Sequence, residues 1–293
     1  MSGGTILLLG RNGQVGWELE RALAPLGRVA APGRREADLA DPGTLRDAVR
    51  RHRPRLVVNA AAYTAVDRAE SEPELAFAVN AAAPGVLAEE AKRAGAFVVH
   101  YSTDYVFDGG KGAPYLEGDA PGPLNVYGRS KLAGEEAVRA ATDDHLIFRT
   151  SWVYGARGGN FLRTVLRLLD ERDELRIVAD QQGAPTWSRM IAEATAAALA
   201  RSGVRSPRHA GTFHLAAAGC TTWHGFATAI RDGLGGAYAA KRISAIATEE
   251  YPTPAARPRY SVLDGGRLAD AFGIRLPAWD ESLRLVLAEL GRA

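Results

Sequence analysis

The sequence is poor in cysteine, with Cys220 alone among its 293 residues. A single cysteine excludes an intramolecular disulfide, and no His–Cys pattern of a metal site accompanies it. Long apolar runs are lacking too: the run at residues 6–9 is only strand-length, whereas a membrane span needs about 20 residues. The start also lacks the basic region and cleavage site of a signal peptide. We therefore expect a cytoplasmic protein that does not bind a membrane.

An excess of one charge is also absent. Lysine and arginine total 36 residues and aspartate and glutamate 34, which gives a formal net charge of +2. Such a balance creates no strong field that would attract nucleic acid. Lysine is the scarcer cation, with four copies at positions 92, 111, 131 and 241. A lysine at a candidate site is therefore more informative than an arginine.

Strand-like and helix-like runs alternate through the first half of the chain. Strands are predicted at 6–9, 29–31, 56–62, 96–102 and 146–152, and helices at 14–26, 42–52, 73–94 and 125–141. This alternation is typical of βαβ units, and the continuously apolar strands indicate coverage on both faces. We predict an α/β fold, in which residues 1–155 form a Rossmann-type doubly wound parallel sheet that binds a dinucleotide.

The pattern loosens in the second half. Helices are predicted at 161–171, 191–201, 222–234 and 281–290, a strand at 212–216, and a proline-rich loop, YPTPAARPRY, at 251–260. No repeat or low-complexity linker is found. Residues 156–293 are predicted to form a smaller, mainly substrate-binding lobe, with some segments returning to the Rossmann sheet.

A glycine-rich turn follows the first predicted strand and opens the first helix. Gly10, Gly13 and Gly16 are spaced GxxGxxG. Glycine lets a backbone approach a pyrophosphate closely, and a helix N-terminus offers it unpaired N–H groups. A purely structural turn is the alternative, but at the start of an alternating βαβ chain the turn predicts dinucleotide binding.

The end of the second predicted strand indicates which dinucleotide is bound. A carboxylate there would bond the adenosine ribose, but this chain has Arg34 and Arg35 after a glycine. Two arginines suit a 2′-phosphate, which predicts NADPH in preference to NADH; solvated surface arginines are the alternative. Asp38 and Leu39 follow, with Asp38 either near the adenine or capping the next helix. The small residues Ala60, Ala61 and Ala62 would line the same groove.

Tyr127 and Lys131 are one helical turn apart in the predicted helix 125–141, so they would share a face. A free tyrosine has a pKa of about 10, and a nearby ammonium lowers that pKa by stabilising the phenolate. The pair predicts proton transfer, with Lys131 also bonding the nicotinamide ribose; an ordinary helix turn is the alternative. Thr103, at a strand end, would bond a carbonyl oxygen. The three groups predict hydride transfer at a carbon that bears oxygen.

Two further side chains are candidates for substrate contact. Trp152 follows the fifth predicted strand, where an indole stacks on a sugar or base or belongs to the core. Arg257, in the proline-rich loop, would bind a diphosphate or form a surface salt bridge. His100 is predicted to be a buried structural residue and Cys220 to be inert.

Several sequence blocks together resemble a known family. They are GRNGQVG (10–16), NAAAYTAVDRAE (59–70), YSTDYVF (101–107), LNVYGRSK (124–131), FRTSWVY (148–154) and DQQGAPT (180–186). In this order they resemble the extended short-chain dehydrogenase/reductases and, within them, the dTDP-4-dehydrorhamnose reductases. The blocks most specific to this family are DQQGAPT, STDYVF and RTSWVYG.

The resemblance implies a role for each matching position. Tyr127 would donate the proton, Lys131 would assist it and bind the ribose, and Thr103 would be the third catalytic hydroxyl. Substrate contacts would come from Thr103, Asp104, Tyr105 and Trp152. The cofactor would be lined by Gly10, Asn12, Gly13, Gln14, Val15, Gly16, Asp38, Leu39, Ala62, Tyr63 and Thr64. The implied reaction reduces the C4 keto group of dTDP-4-dehydro-β-L-rhamnose with NADPH, with NADH use and a homodimer left open.

Two departures from the family pattern matter. Members often carry an acid where Gly33 stands, which strengthens the expectation of NADPH. Some bind magnesium between subunits; Glu18 matches one ligand position, but Arg189 replaces another, so no metal is predicted.

Two other functions are the alternatives to a reductase. One is a sugar-nucleotide epimerase or dehydratase on the same scaffold, and the other is a non-catalytic regulatory subunit related to the methionine adenosyltransferase beta subunit.

Overall fold

The computed structural model describes residues 4–202, 209–235, 238 and 241–291. Its strands are β1 (Thr5–Leu9), β2 (Arg28–Ala30), β3 (Leu56–Asn59), β4 (Phe97–Thr103), β5 (His145–Thr150), β6 (Val153–Tyr154), β7 (Glu174–Val178), β8 (Gln182–Gly183), β9 (Thr186–Trp187), β10 (Gly211–His214), β11 (Thr221–Thr222) and β12 (Arg242–Ile246). Six of them form one parallel sheet in the order β10-β5-β4-β3-β1-β2. The predicted α/β, Rossmann-type architecture is confirmed.

The helices fill the connections between the strands. They are α1 (Gln14–Ala22), α2 (Pro42–His52), α3 (Val66–Ala69), α4 (Pro73–Phe77), α5 (Ala83–Arg93), α6 (Val126–Ala141), α7 (Phe161–Glu171), α8 (Ser188–Ser202), α9 (Trp223–Gly233), α10 (Gly266–Phe272) and α11 (Trp279–Glu289). The predicted helix 73–94 is one helical run, but a π-helical segment, Ala78–Ala82, joins α4 to α5. None of these helices is long and apolar enough to cross a membrane.

The sheet is covered on both faces, which explains its apolar strands. In β1, Ile6 and Leu8 belong to one core with residues of α1, α8 and α10. Leu7 and Leu9 belong to the opposite core, with residues of α2, α5 and α6. Because alternate side chains meet apolar helices on both sides, no polar alternation remains in the sequence.

Two predicted strands end earlier than expected. The strand predicted at 56–62 stops at Asn59, whose side-chain oxygen accepts from the N–H of Ala61 at 3.2 Å and turns the chain. The strand predicted at 146–152 stops at Thr150, because Trp152 has a φ of 45°. Both turns lie at the carboxyl edge of the sheet, where parallel-sheet proteins bind ligands.

Segments from the second half pack on the sheet and on one another. β10 pairs with β5 as the sheet's edge strand, and a separate pair joins β7 to β12 in parallel. The sequence pattern predicts neither strand of the β7–β12 pair, since the two strands lie far apart in the chain and β7 falls in the connection between two predicted helices. A third core, which includes side chains of α7, α9 and α11, covers this region.

Candidate active site

A cleft of about 410 Å³ opens where β1, β2 and β3 end. It is lined by Gly10, Arg11, Asn12, Gly13, Pro32, Gly33, Arg34, Ala37, Asp38, Leu39, Ala61, Ala62, Tyr63, Arg68, Leu75 and Val79. Nine of the predicted cofactor residues are in this lining. The other predicted positions are outside it: Gln14, Val15, Gly16, Arg35, Ala60, Thr64, Tyr127 and Lys131.

The glycine turn brings bare backbone to the wall of this cleft. Gly10 has a φ of +87°, and a Cβ added there would lie 2.6 Å from the backbone nitrogen of Ala61. Only glycine fits such an approach without movement of the neighbouring strand end. α1 begins four residues later, so its N-terminus faces the same space. The residues present therefore fit the pyrophosphate of a dinucleotide.

The positive charge beside β2 comes from more than the two predicted arginines. Arg34 lines the cleft and its Nε lies 3.2 Å from Asp38 Oδ2, whereas Arg35 is exposed outside the lining. Arg11, which the sequence reasoning missed, donates to the Ala31 carbonyl at 3.2 Å and pairs with Glu20. The position of Arg11 inside the glycine-rich motif is the sequence feature that could have predicted its place at the cleft.

Asp38 is not the cap of α2. The side chain of Asp41 accepts from Gly43 N–H at 2.9 Å and caps that helix, so the capping alternative for Asp38 is wrong. Asp38 instead accepts from the N–H of Ala40 at 3.0 Å. That bond and the Arg34 guanidinium hold the pKa of the Asp38 carboxyl below its usual value, against a smaller rise from burial.

Tyr127 and Thr103 meet at the carboxyl end of β4. α6 starts directly after Asn125, whose side chain accepts from Gly128 N–H at 2.8 Å and so fixes the turn that carries Tyr127. Burial raises the pKa of Tyr127 to about 12, the Thr103 hydroxyl beside it opposes the rise, and the charge of Asp104 adds to it. The net fall in this pKa that the Tyr127–Lys131 spacing predicts is not found, because the effect of burial is the largest.

Lys131 is buried one turn further along α6. Its Nζ donates to the Tyr101 carbonyl oxygen at 2.6 Å and lies 3.4 Å from Nε2 of His100. Burial lowers the pKa of Lys131 to about 8, while the carboxylate of Glu135 opposes that fall. An amine with such a pKa exchanges its proton readily near neutral pH.

Asp104 is a buried carboxyl beside the Tyr127–Thr103 pair. Thr103 Oγ1 donates to its Oδ1 and Ser151 Oγ to its Oδ2, each at 3.0 Å. Burial raises the pKa of Asp104 to about 6, although these bonds and one from Ser261 counteract it. The Thr103 hydroxyl also accepts from Tyr105 N–H at 3.2 Å, so its orientation is fixed.

Aromatic side chains surround the approach to these groups. The ring of Tyr105 meets the ring of Tyr127 edge-on, with centroids 5.7 Å apart. Trp152 is half-buried and stacks on Trp223, with centroids 3.5 Å apart and planes within 3°. Trp223 begins α9 and was missed as a site candidate, since only the fold brings it to Trp152.

Arg257 is engaged with the sheet domain. Its Nη1 and Nη2 lie 3.0 and 2.8 Å from the two carboxylate oxygens of Asp67 on α3. Nη1 also donates to Thr253 Oγ1 and to the Ala255 carbonyl, within its own loop. The ion pair therefore ties the proline-rich loop to α3.

Glu18 and Arg189, the two positions that correspond to magnesium ligands in some family members, lie next to each other. The guanidinium of Arg189 sits between Glu18, with an Nε–Oε2 distance of 3.3 Å, and Glu289, with an Nη2–Oε1 distance of 2.7 Å. An arginine thus supplies the positive charge between these carboxylates. In the part of the chain that the structure describes, no group of three or more His, Cys, Asp or Glu side chains is placed to hold a metal ion.

Comparison with known proteins agrees with this geometry. Residues 4–292 match the family described as the RmlD substrate binding domain. The dTDP-4-dehydrorhamnose reductase of Burkholderia thailandensis is 54% identical, over 97% of this chain and 98% of that protein. The dTDP-4-dehydrorhamnose reductase of Escherichia coli K12 is 47% identical, over 97% of each chain.

Solved structures show the same similarity in three dimensions. A dTDP-4-dehydrorhamnose reductase from Clostridium acetobutylicum has a TM-score of 0.92 and 35% identity, covering 98% of this chain and 99% of that one. The Bacillus anthracis reductase, solved in complex with NADP, has a TM-score of 0.89 and 33% identity with the same coverage. The chain therefore belongs to the dTDP-4-dehydrorhamnose reductase family.

Proposed function

We propose that this protein reduces the C4 keto group of dTDP-4-dehydro-β-L-rhamnose to give dTDP-L-rhamnose, with NADPH as the reductant. The observation that carries the proposal is the placement of Tyr127 beside Thr103, one helical turn from the buried Lys131. This pair stands at the same sheet edge as the glycine-walled cleft. The family relationship favours the same reaction.

Tyr127 is proposed as the proton donor to the oxygen of the reduced carbon. With a pKa of about 12 its hydroxyl is protonated at neutral pH, which is the form that a donor needs. When bound, the nicotinamide supplies the hydride. Lys131 would then stabilise the negative charge left on the Tyr127 oxygen, through its position one turn away on α6.

Thr103 and Asp104 are proposed to orient the sugar. The Tyr105 N–H holds the Thr103 oxygen in place, while the one proton of that hydroxyl goes to Asp104. This proton would turn to the carbonyl oxygen at Tyr127 when the sugar binds, and a donor already held at its oxygen needs little reorganisation in the transition state. The Ser151 hydroxyl holds Asp104 itself in place.

The cofactor would be held by the residues that line the cleft. The Gly10 turn and the N-terminus of α1 suit the pyrophosphate. Asp38 with Leu39, and Ala62 with Tyr63, all of which line the cleft, suit the adenosine half. Lys131 would bind the nicotinamide ribose.

The second half of the chain is proposed to complete the nucleotide-sugar site together with Tyr105 and Trp152 of the first half. Trp152 would stack on the base or sugar, supported from behind by Trp223 of α9. Tyr105 would cover the sugar beside Tyr127. For Arg257 to bind a diphosphate, its ion pair with Asp67 must open, so we assign it first to holding the loop 251–260.

We also infer a cytoplasmic reaction with a small-molecule substrate and no nucleic-acid partner. The single cysteine, Cys220, is exposed and unpaired as a disulfide, which suits a reducing compartment. The net charge of +2 gives no reason for a polyanionic partner. Sedimentation of the purified protein would determine whether it forms the homodimer that the family resemblance leaves open.

The proposed reaction is tested by incubating the protein with NADPH and a panel of 4-keto sugar nucleotides. A reductase consumes NADPH stoichiometrically, so absorbance at 340 nm falls steadily with the correct substrate. An epimerase or dehydratase recycles a retained cofactor and gives no such loss. A constant absorbance with every substrate, while sugar products form, would rule out the reductase assignment.

Replacing Arg34 and Arg35 together by alanine is expected to weaken the preference for NADPH. Charge-assisted bonds to a 2′-phosphate contribute about 1.5–3 kcal/mol, so kcat/KM for NADPH should fall about 10- to 100-fold. The value for NADH should change little. Arg51→Ala is the control, because this exposed arginine lies near the far end of α2. Equal losses with both cofactors would contradict the assignment.

Gly183→Ala is expected to displace the indole of Trp152. A Cβ at this position would lie 2.4 Å from Cε2 of that ring, closer than any real contact. Aromatic stacking contributes about 0.5–1.5 kcal/mol, so KM for the sugar nucleotide should rise about 3- to 10-fold with less change for NADPH. Gly118→Ala, with nothing within 4 Å of the added atom, is the control. An unchanged sugar-nucleotide KM would remove Trp152 from the proposed site.

A further inference from the structure

Two buried polar side chains lie directly behind Lys131. Asn59, the last residue of β3, is paired in register with His100 on β4. Their side chains are 2% and 1% exposed. Nε2 of His100 lies 3.4 Å from Nζ of Lys131, although the sequence predicted only a structural role for this histidine.

The hydrogen bonds of Asn59 select one tautomer of His100. Oδ1 of Asn59 accepts from Ala61 N–H at 3.2 Å, which turns its amide nitrogen toward Nδ1 of His100, 3.3 Å away. An amide nitrogen only donates, so Nδ1 must accept, and the proton of the neutral ring is on Nε2. Burial and the charge of Lys131 lower the pKa of His100 well below its usual value and keep the ring neutral.

The Nε2–H bond of His100 therefore points at the amine of Lys131. A protonated lysine carries donors only, so it bonds the Tyr101 carbonyl at 2.6 Å and stays 3.4 Å from the histidine. A neutral lysine has a lone pair that accepts from Nε2–H. The histidine thus stabilises the neutral amine relative to the cation, in the same direction as burial.

We propose that His100, held in one tautomer by Asn59, is a positioning residue that controls how readily Lys131 holds and releases its proton during reduction. It acts through Lys131 and need not touch the substrate. The inference rests on the proposed function, in which protonated Lys131 stabilises the charge on the Tyr127 oxygen. A cation held too firmly there would be slow to exchange its proton between turnovers.

Other charged groups around Lys131 also affect whether its amine is protonated. Glu135, one turn along α6, favours the cation, and Arg149 on β5 neutralises much of that carboxylate. Further charged or titratable groups on these elements include Arg139, which also pairs with Glu135, Tyr101 on β4, Asp104 after β4, Tyr127 on α6, and Glu70, which accepts from the first N–H of α6. Asn80 of the π-helical segment is polar but uncharged. The Nε2–H of His100 is therefore the contact to change.

The test compares the pH dependence of kcat/KM for NADPH-dependent reduction in wild type and in His100→Leu. Activity needs protonated Lys131, so kcat/KM should fall as pH rises through the pKa of that amine, about 8. The pKa of Tyr127 is about 12, so Tyr127 keeps its proton over this pH range. Loss of Nε2–H should let Lys131 keep its proton to higher pH and move this alkaline limb up by about one pH unit. An alkaline limb that stays in place while kcat/KM falls evenly would overturn the proposal.

Two further measurements make the test specific. His145→Gln changes another buried histidine, which begins β5 and is bonded to the Thr142 carbonyl. This substitution should leave the alkaline limb of the pH profile where it is. Nitrogen NMR of the wild-type protein, with His100 identified through its contact with Asn59, should show a neutral ring protonated at Nε2. A ring protonated at Nδ1 would overturn the proposal even if His100→Leu did not fold. If wild type consumes no NADPH, the proposed function fails, whereas the tautomer remains independently measurable.

Discussion

Tyr127→Phe is expected to lower kcat for reduction by about 10²–10⁴-fold, the usual contribution of a positioned proton donor. The substitution removes one hydroxyl and keeps the ring that meets Tyr105 edge-on, so the surrounding packing should persist. KM values should change less than kcat, because the lost interaction matters most in the transition state. Stopped-flow or steady-state loss of NADPH absorbance measures the effect.

Tyr154→Phe is a matched control for this experiment. The Tyr154 hydroxyl is buried and makes no hydrogen bond within the described ranges, so its removal should leave activity unchanged. Turnover by Tyr127→Phe near the wild-type value would show that another group donates the proton. A similar loss in both variants would indicate a general effect on folding.

Arg149→Met is expected to destabilise the folded chain by about 3 kcal/mol, the lower end of the cost of breaking a buried ion pair, because the partly exposed Arg139 still pairs with Glu135 at 3.1 Å. Arg149 and Glu135 are 3% and 0% exposed. Their two bonds, Nε–Oε1 at 2.8 Å and Nη2–Oε2 at 2.7 Å, join β5 to α6. Burial tends to raise the pKa of Glu135, but Arg149 outweighs it and keeps the carboxyl ionised. Urea or thermal unfolding measures the loss.

The exposed pair Arg167–Glu171 on α7 supplies the control for the ion-pair experiment. Its atoms are 2.6 Å apart, yet both side chains are about half-exposed, so Arg167→Met should change the free energy of unfolding by about 0.5 kcal/mol or less. Replacing Arg149 and Glu135 together by methionine should recover much of the stability, since no buried charge remains at this site and the Arg139 that loses its carboxylate partner is partly exposed. Equal destabilisation by Arg149→Met and Arg167→Met would contradict the reasoning from burial.

The sequence predicted best those features that depend on neighbouring residues. The helices Pro42–His52 and Phe161–Glu171 match their predicted bounds, because Asp41 and Asn160 cap them locally. The glycine turn, the alternating pattern and the blocks of family resemblance likewise lie in short stretches. They were sufficient for the Rossmann-type fold, the family and the cofactor class.

The sequence by itself thus predicted the groups proposed for the chemistry: a glycine turn for the dinucleotide, and a tyrosine, a lysine and a threonine on α6 and at the end of β4. Only the tertiary structure decided how those groups are tuned. Burial by packed helices, which no local spacing encodes, raises the pKa of Tyr127 and lowers that of Lys131. Contacts between distant segments decided the rest, because the sheet places Asn59 beside His100, and α9 lays Trp223 on Trp152.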